Sequence, residues 1–251
     1  MAAGPLAEPR PARIGVQATT ALIELAEICG LARLPVEGRR PMEATTYGVG
    51  MAMEEAIERG YADLVVGVGG SASTDGGVGA AAALGARILD ARGEPVRPCG
   101  SGLAEVASVD LDPMLALLEG VSLVVATDVE SPLTGSKGAA QAFGAQKGAS
   151  AEQIETLDAG LRRWAAVLQE ATGVDVRELP GVGAAGGFAA AGKAPQAALV
   201  EAQAAGKPVI AVAGSFSANA DLAGMSARYS LTVAAGSGGI RYAMPEFCCA
   251  R

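Results

Sequence analysis

Three short, nearly uninterrupted apolar runs punctuate the chain, at 62–68, 121–127 and 208–214. Their length, their valine content and their polar or glycine borders predict strands of a parallel sheet, buried by helices on its faces. Between them the apolar spacing changes period. Ala21, Leu22, Leu25, Ala26 and Ile28 fall on one helical face with Glu24 and Glu27 outside, which predicts a helix over 19–28. The same reasoning predicts helices over 46–59, with Gly60 closing the first, over 78–84 and over 194–205. The clearest is 151–170, where Leu157, Leu161, Trp164, Ala165 and Leu168 form one stripe. A short strand is expected at 87–89. Residues 1–13, 35–41 and 93–102 read as loops from their Pro and Gly content, and the tail from Gly236 is weakly patterned.

Strands alternating with helices imply an α/β architecture with a parallel sheet. A chain of 251 residues has room for one large domain or two small ones. Its 35 glycines and low aromatic content of 4% suit close packing of helices on a sheet. The net charge of −8 with no basic cluster argues against a nucleic-acid partner. No apolar stretch is long enough to predict a membrane span, and no leader pattern is seen at the N-terminus. Four cysteines without C-x-x-C spacing indicate neither a zinc site nor a disulfide framework, which fits a reducing cytoplasm. The chain has no histidine, so acid–base work must fall to Asp, Glu, Lys, Tyr or water.

The candidate chemistry gathers at residues 69–77, Gly-Gly-Ser-Ala-Ser-Thr-Asp-Gly-Gly, between the first apolar strand and the 78–84 helix. A glycine-rich turn leading into a helix N-terminus is an anion site in waiting, because backbone N–H groups and the helix dipole converge there. Gly69, Gly70, Ser71, Ser73 and Thr74 would supply the donors. Asp75 does not suit a bare phosphate. It points to a metal ion, a substrate hydroxyl or a helix cap. Asp128, just after the second apolar strand, has the same alternatives, as a Mg²⁺ or hydroxyl ligand or as a loop cap. Parallel neighbouring strands would bring Asp75 and Asp128 to one sheet edge, where open α/β sheets bind ligands, with both side chains expected in one cleft. Lys137 and Lys147 could neutralise a phosphate or carboxylate, or be solvated charges.

Several segments together resemble the bacterial glycerate kinases. The 69–77 run is similar to that family's G-G-S-A-S/T-x-D-G-G signature. Residues 45–50, Thr-Thr-Tyr-Gly-Val-Gly, resemble its T-T-Y-G-x-G segment; 128–135, Asp-Val-Glu-Ser-Pro-Leu-Thr-Gly, its D-V-x-N-P-L-x-G loop. Residues 143–149, Phe-Gly-Ala-Gln-Lys-Gly-Ala, resemble F-G-P-Q-K-G-A, and 181–187, Gly-Val-Gly-Ala-Ala-Gly-Gly, G-x-G-A-A-G-G. Five motifs in the same order make the match specific. It implies a doubly wound domain with a second α/β domain inserted. Residues 1–190 correspond to the inserted domain and 191–251 to part of the doubly wound one. No counterpart is seen to the family's opening D-S-F-K-G-S-type motif or its G-E-G-R-x-D segment, which implies weakened activity.

The resemblance implies ATP- and Mg²⁺-dependent phosphorylation of a glycerate hydroxyl. Asp75 and Asp128 would be the catalytic or metal-binding carboxylates. Gly69, Gly70, Ser71 and Thr74, with Gly183, Gly186 and Gly187, would cradle anionic groups, and Lys147 would neutralise charge. A catalytically inactive binding or oligomerising module is the alternative from another class. A nicotinamide oxidoreductase is the third, since 67–72 satisfies G-x-G-x-x-A with Asp90 downstream, but Asp75 would sit against the pyrophosphate. Residues 187–194 approach a Walker A loop but carry Ala194 where the magnesium-holding hydroxyl belongs.

Overall fold

A computed structural model describes residues 1–127, 129–177, 179 and 181–191, and the backbone of two further strands at 210–213 and 227–230. The chain opens with two-residue strands β1 (Ala2–Ala3) and β2 (Pro9–Arg10), then β3 (Ile14–Gln17), β4 (Thr20–Glu24) and the short helix α1 (Leu25–Cys29). Helix α2 (Tyr47–Glu58), strand β5 (Asp63–Gly67) and helix α3 (Val78–Ala83) follow. Next come β6 (Arg87–Leu89), β7 (Ser108–Asp110), α4 (Asp112–Leu117), β8 (Ser122–Ala126), α5 (Ala139–Phe143) and α6 (Ala151–Thr172). Strands β9 (Ile210–Ala213) and β10 (Ala227–Ser230) form a parallel pair.

The central sheet has the order β3-β4-β5-β8, and β4, β5 and β8 run parallel. Leu64 and Val66 of β5 are fully buried while Val65 is half-buried, so one face is sealed more tightly than the other. That face continues into α2, α3 and α6 through Met53, Val78, Leu161 and Trp164. The α/β class with parallel strands is therefore established. Helix α6 forms where the apolar stripe predicts it. Ser150 and Gln153 close a reciprocal capping box at its start, and Gly173 at φ 75° ends it.

Residues 19–28 are not one helix. Thr20–Glu24 is a strand, and only Leu25–Cys29 is helical. The residues that looked like a helical face also satisfy period two: Ala21 and Ile23 are fully buried while Thr20, Leu22 and Glu24 are half-buried. Parallel pairing with β5 on one side and antiparallel pairing with β3 on the other decide between the two readings. Tertiary ladders override a local periodicity this short. Residues 1–13, read as loop, likewise contribute β1 and β2. The expected helix over 194–205 lies outside the described residues, and β9 falls within the third apolar run.

Candidate active site

The parallel strands all end at one edge, β4 at Glu24, β5 at Gly67 and β8 at Ala126, in matching register. The glycine-rich segments gather beyond that edge. The turn 69–77 leaves β5 and is pinned from four sides. Leu31 N–H donates to the Gly70 carbonyl (2.8 Å), Gly76 N–H to the Gly186 carbonyl (3.0 Å), and Trp164 Nε1 to the Gly76 carbonyl (3.0 Å). Lys147 supplies the fourth contact, to Ser71 and Ser73. Gly183 N–H donates to the Ser131 carbonyl (2.9 Å), so the 181–187 and 128–135 segments are joined as well.

Asp75 is the hub of this assembly and is completely buried. Its Oδ2 accepts from Thr46 N–H (2.7 Å), Thr46 Oγ1 (2.8 Å) and Gly79 N–H (3.3 Å), and its Oδ1 accepts from Gly77 N–H (3.2 Å). The Thr46 hydroxyl in turn accepts from Ala80 N–H (3.0 Å). The donors at the start of α3 and the entry to α2 are thereby satisfied by two side chains of the chain itself. Burial pushes the Asp75 carboxyl up, while the hydrogen bonds from Thr46, Gly77 and Gly79 oppose that shift. The helix N-terminus expected to receive a ligand anion is therefore filled by the Asp75 carboxylate. The open-cleft position expected for Asp75 is not what the structure gives it, because the cap consumes its acceptor capacity. Asp128 lies outside the described residues.

Lys147 is also buried, 3% exposed, and contrasts with Asp75 in having no carboxylate partner among the described residues. Its Nζ donates to Ser71 Oγ at 2.9 Å and to the Ser73 carbonyl. Desolvation lowers its pKa to about 8, with Asp75 pulling the other way through space. Beside this pair the chain is open. Gly69 and Gly70 are exposed, a Cβ at Gly69 would meet nothing within 4 Å, and neither amide N–H has an acceptor among the described residues. The hydroxyls of the buried Ser73 and Thr74 have no partner there either.

The remaining candidates separate into two groups. A Cβ at Gly186 would lie 2.1 Å from the Ser73 carbonyl oxygen and one at Gly183 2.2 Å from that of Pro132; at Gly187 it would lie 2.7 Å from Leu133 Cδ1. These three glycines let loops close on one another, and the space a ligand anion would need beside them is taken by the chain. Lys137 is an exposed side chain. Asp90 accepts from Arg92 N–H (2.8 Å) and Glu94 N–H (2.9 Å), so the acid of the dinucleotide fingerprint caps a local turn. No group of three or more His, Cys, Asp or Glu side chains among the described residues is arranged to hold a metal ion.

The model of the glycerate kinase family matches residues 1–191. The chain belongs to the glycerate kinase family. It is 43% identical over 187 residues to the glycerate kinase of Bacillus subtilis (strain 168), an alignment covering 74% of this chain and 49% of that protein. It is 41% identical over 190 residues to the glycerate 2-kinase of Escherichia coli (strain K12), covering 75% and 50%. The chain thus spans about half the length of these glycerate kinases. A crystal structure assigned as glycerate kinase 2 from Salmonella typhimurium LT2 superposes with a TM-score of 0.75 at 34% identity, covering 92% of this chain and 73% of that one.

Three further residues near the candidate site carry no role in the sequence reading. Thr46 precedes α2 but does not cap it; its hydroxyl crosses to Asp75 and to Ala80 N–H of α3, a role its local sequence does not signal. Glu24 ends β4 and sets its carboxylate beside Gly67; misreading 19–28 as a helix hid it. Arg39 packs on Gly148 and donates through Nη1 to the Gln146 carbonyl (2.8 Å), so a second cation braces the turn carrying Lys147. Nothing in the local sequence marks Arg39 out.

Proposed function

We propose that this chain serves the ATP-dependent phosphorylation of a hydroxyl of glycerate, with turn 69–71 and Lys147 as the working part of the site. The observation that carries the reading is the meeting of an exposed glycine turn, whose amides are free among the described residues, with a buried lysine beyond the ends of the parallel strands. Phosphoryl transfer asks a protein mainly for positioning and charge stabilisation. The N–H groups of Gly69 and Gly70 can hold a carboxylate or phosphate oxygen, and Ser71, next in the chain, bonds through its hydroxyl to Lys147 Nζ at 2.9 Å. Asp75 then acts as a positioning residue: it fixes the turn through Thr46, Gly77 and Gly79 and does not contact the reacting atoms.

Mg²⁺ supplies charge compensation to ATP in such reactions and asks for one or two carboxylates plus phosphate oxygens. Asp75, saturated by its own cap, does not fit that part. We assign it to Asp128, from its place in sequence after β8. An ATP requirement puts the proposed activity in the cytoplasm.

Glycerate-dependent release of ADP by the purified chain tests the reading directly. Binding measurements with ATP–Mg²⁺, glycerate and NAD separate it from an inactive module and from an oxidoreductase. Gly70→Val, which crowds the exposed turn, is expected to weaken glycerate or ATP binding in a protein that still folds; unchanged affinities would remove the turn from the site.

A further inference from the structure

The reaction proposed above must dispose of the proton of the accepting hydroxyl, and the described residues leave few groups to take it. The chain has no histidine. Asp75 is sealed and holds four hydrogen bonds from its own chain. Lys147 is different in kind. Its Nζ is fixed by two acceptors, Ser71 Oγ at 2.9 Å and the Ser73 carbonyl, and no carboxylate among the described residues pairs with it. Ser71, buried itself, directly follows the exposed Gly69–Gly70 turn in the chain, so its hydroxyl links that turn to the amine. A hydroxyl joining a buried amine to an open anion-binding turn has the form of a proton relay.

We infer that Ser71 and Lys147 together form the general base of this site, Ser71 handing the substrate's proton inward to Lys147. The inference rests on the kinase reading of the turn. In its neutral form the amine keeps one N–H on the Ser73 carbonyl and turns its lone pair to the Ser71 hydroxyl. The substrate O–H proton passes to Ser71 Oγ as the Ser71 proton passes to Nζ. The electron pair freed on the substrate oxygen forms the new bond to the γ-phosphorus. The bond from that phosphorus to its bridging oxygen breaks, and its pair leaves with ADP. Lys147 becomes cationic as phosphoryl charge develops beside it, and later releases its proton to solvent.

The surroundings support a neutral amine within reach of ordinary pH. Desolvation brings Lys147 down to about 8. Asp75, on the turn before α3, favours the charged form through space, and Arg39 packs against Gly148, next to Lys147 in the chain. Glu24, at the end of β4, lies beside Gly67, the last residue of β5. The Cys29 thiol, pushed up to about 12 by burial, is neutral throughout the range and does not compete.

Lys147→Arg separates this role from simple charge neutralisation. The chain has only four lysines, so ¹³Cε-lysine NMR can follow Lys147 in the full chain, its signal identified by loss in Lys147→Met. The expected result is a Lys147 midpoint near 8 and a rate of glycerate-dependent ADP release that rises about tenfold per pH unit below that midpoint and levels above it. Ser71→Ala should lower kcat about 100-fold or more with little change in KM for glycerate. Lys147→Arg, permanently charged, should be as impaired as Lys147→Met. Retention of activity by Lys147→Arg, a rate that falls through the Lys147 titration, or a Lys147 midpoint above about 10 would each overturn the relay while leaving the kinase reading intact. If Lys147→Arg fails to fold, the wild-type pH profile decides alone. Absence of glycerate-dependent ADP release from the wild type at every pH removes the kinase reading, and the relay with it.

Discussion

Asp75 and Lys147 are buried charges in one small region, and they are treated in opposite ways. Asp75 is surrounded by four donors that lock α2, α3 and turn 69–77 together. Lys147 reaches two neutral oxygens and is left with its charge disfavoured by burial. A buried carboxyl held by four donors is architecture, because any ligand would have to displace bonds already made. A charge left under-compensated beside an open turn is stored free energy available to chemistry. Both residues stand in family-like motifs, so the motifs alone do not distinguish the two roles.

The largest effect is expected from breaking the closed side. Asp75→Ala strands the Thr46 N–H and hydroxyl and the Gly77 and Gly79 amides without their acceptor. With an unsatisfied buried donor costing about 1–3 kcal/mol, we expect a loss of about 4 kcal/mol or more, measured by denaturant unfolding. Loss of less than about 1 kcal/mol would mean that the hub is not structural.

Gly186→Ala probes the same closed side through packing. The new Cβ would lie 2.1 Å from the Ser73 carbonyl oxygen, at a backbone φ of 72° that disfavours any side chain. Crowding and left-handed strain together predict a loss of about 3 kcal/mol in the same measurement.

Lys147 gives the comparison a pH axis. The unfolded chain keeps this lysine charged up to about 10.5, whereas the folded chain releases its proton near 8. Between those values the unfolded state binds more protons, so stability rises with pH across the window. The unfolding free energy of the wild type should therefore gain about 2–3 kcal/mol relative to Lys147→Met between about pH 7 and pH 10. A flat difference would mean that burial does not disfavour the Lys147 charge.

How far these roles could be read from the sequence differs between the two sides. The strand–turn–helix around 69–77 and the stripe of α6 were legible because each rests on local spacing. The strand at Thr20–Glu24 was not, because its register comes from β3 and β5, far or opposite in direction along the chain. The same holds for the site. Ser71 and Lys147 could each be singled out by their motifs, but their meeting spans 76 positions and follows from the fold alone. Asp75 carried a capping role within the local pattern, as an acid in a tight glycine turn three residues ahead of Val78, where α3 begins. Thr46, which completes that cap, reaches it from 29 residues upstream.

The smallest expected effect is the sharpest check on the open side. Gly69 precedes Gly70 on the exposed turn, its φ lies outside the left-handed region, and a Cβ there would meet nothing within 4 Å. Gly69→Ala should therefore change stability by less than about 0.5 kcal/mol, and a small gain is the natural sign, because alanine narrows the unfolded ensemble. The methyl group would nevertheless stand on the turn whose amides are assigned to the ligand anion, so glycerate or ATP affinity should fall while stability does not. Gly186→Ala is expected to do the reverse in kind, unfolding the site before any ligand is added. If Gly69→Ala proved as destabilising as Gly186→Ala, the turn would be part of the closed architecture. The division between a sealed carboxylate and an available lysine would then no longer describe this edge of the sheet.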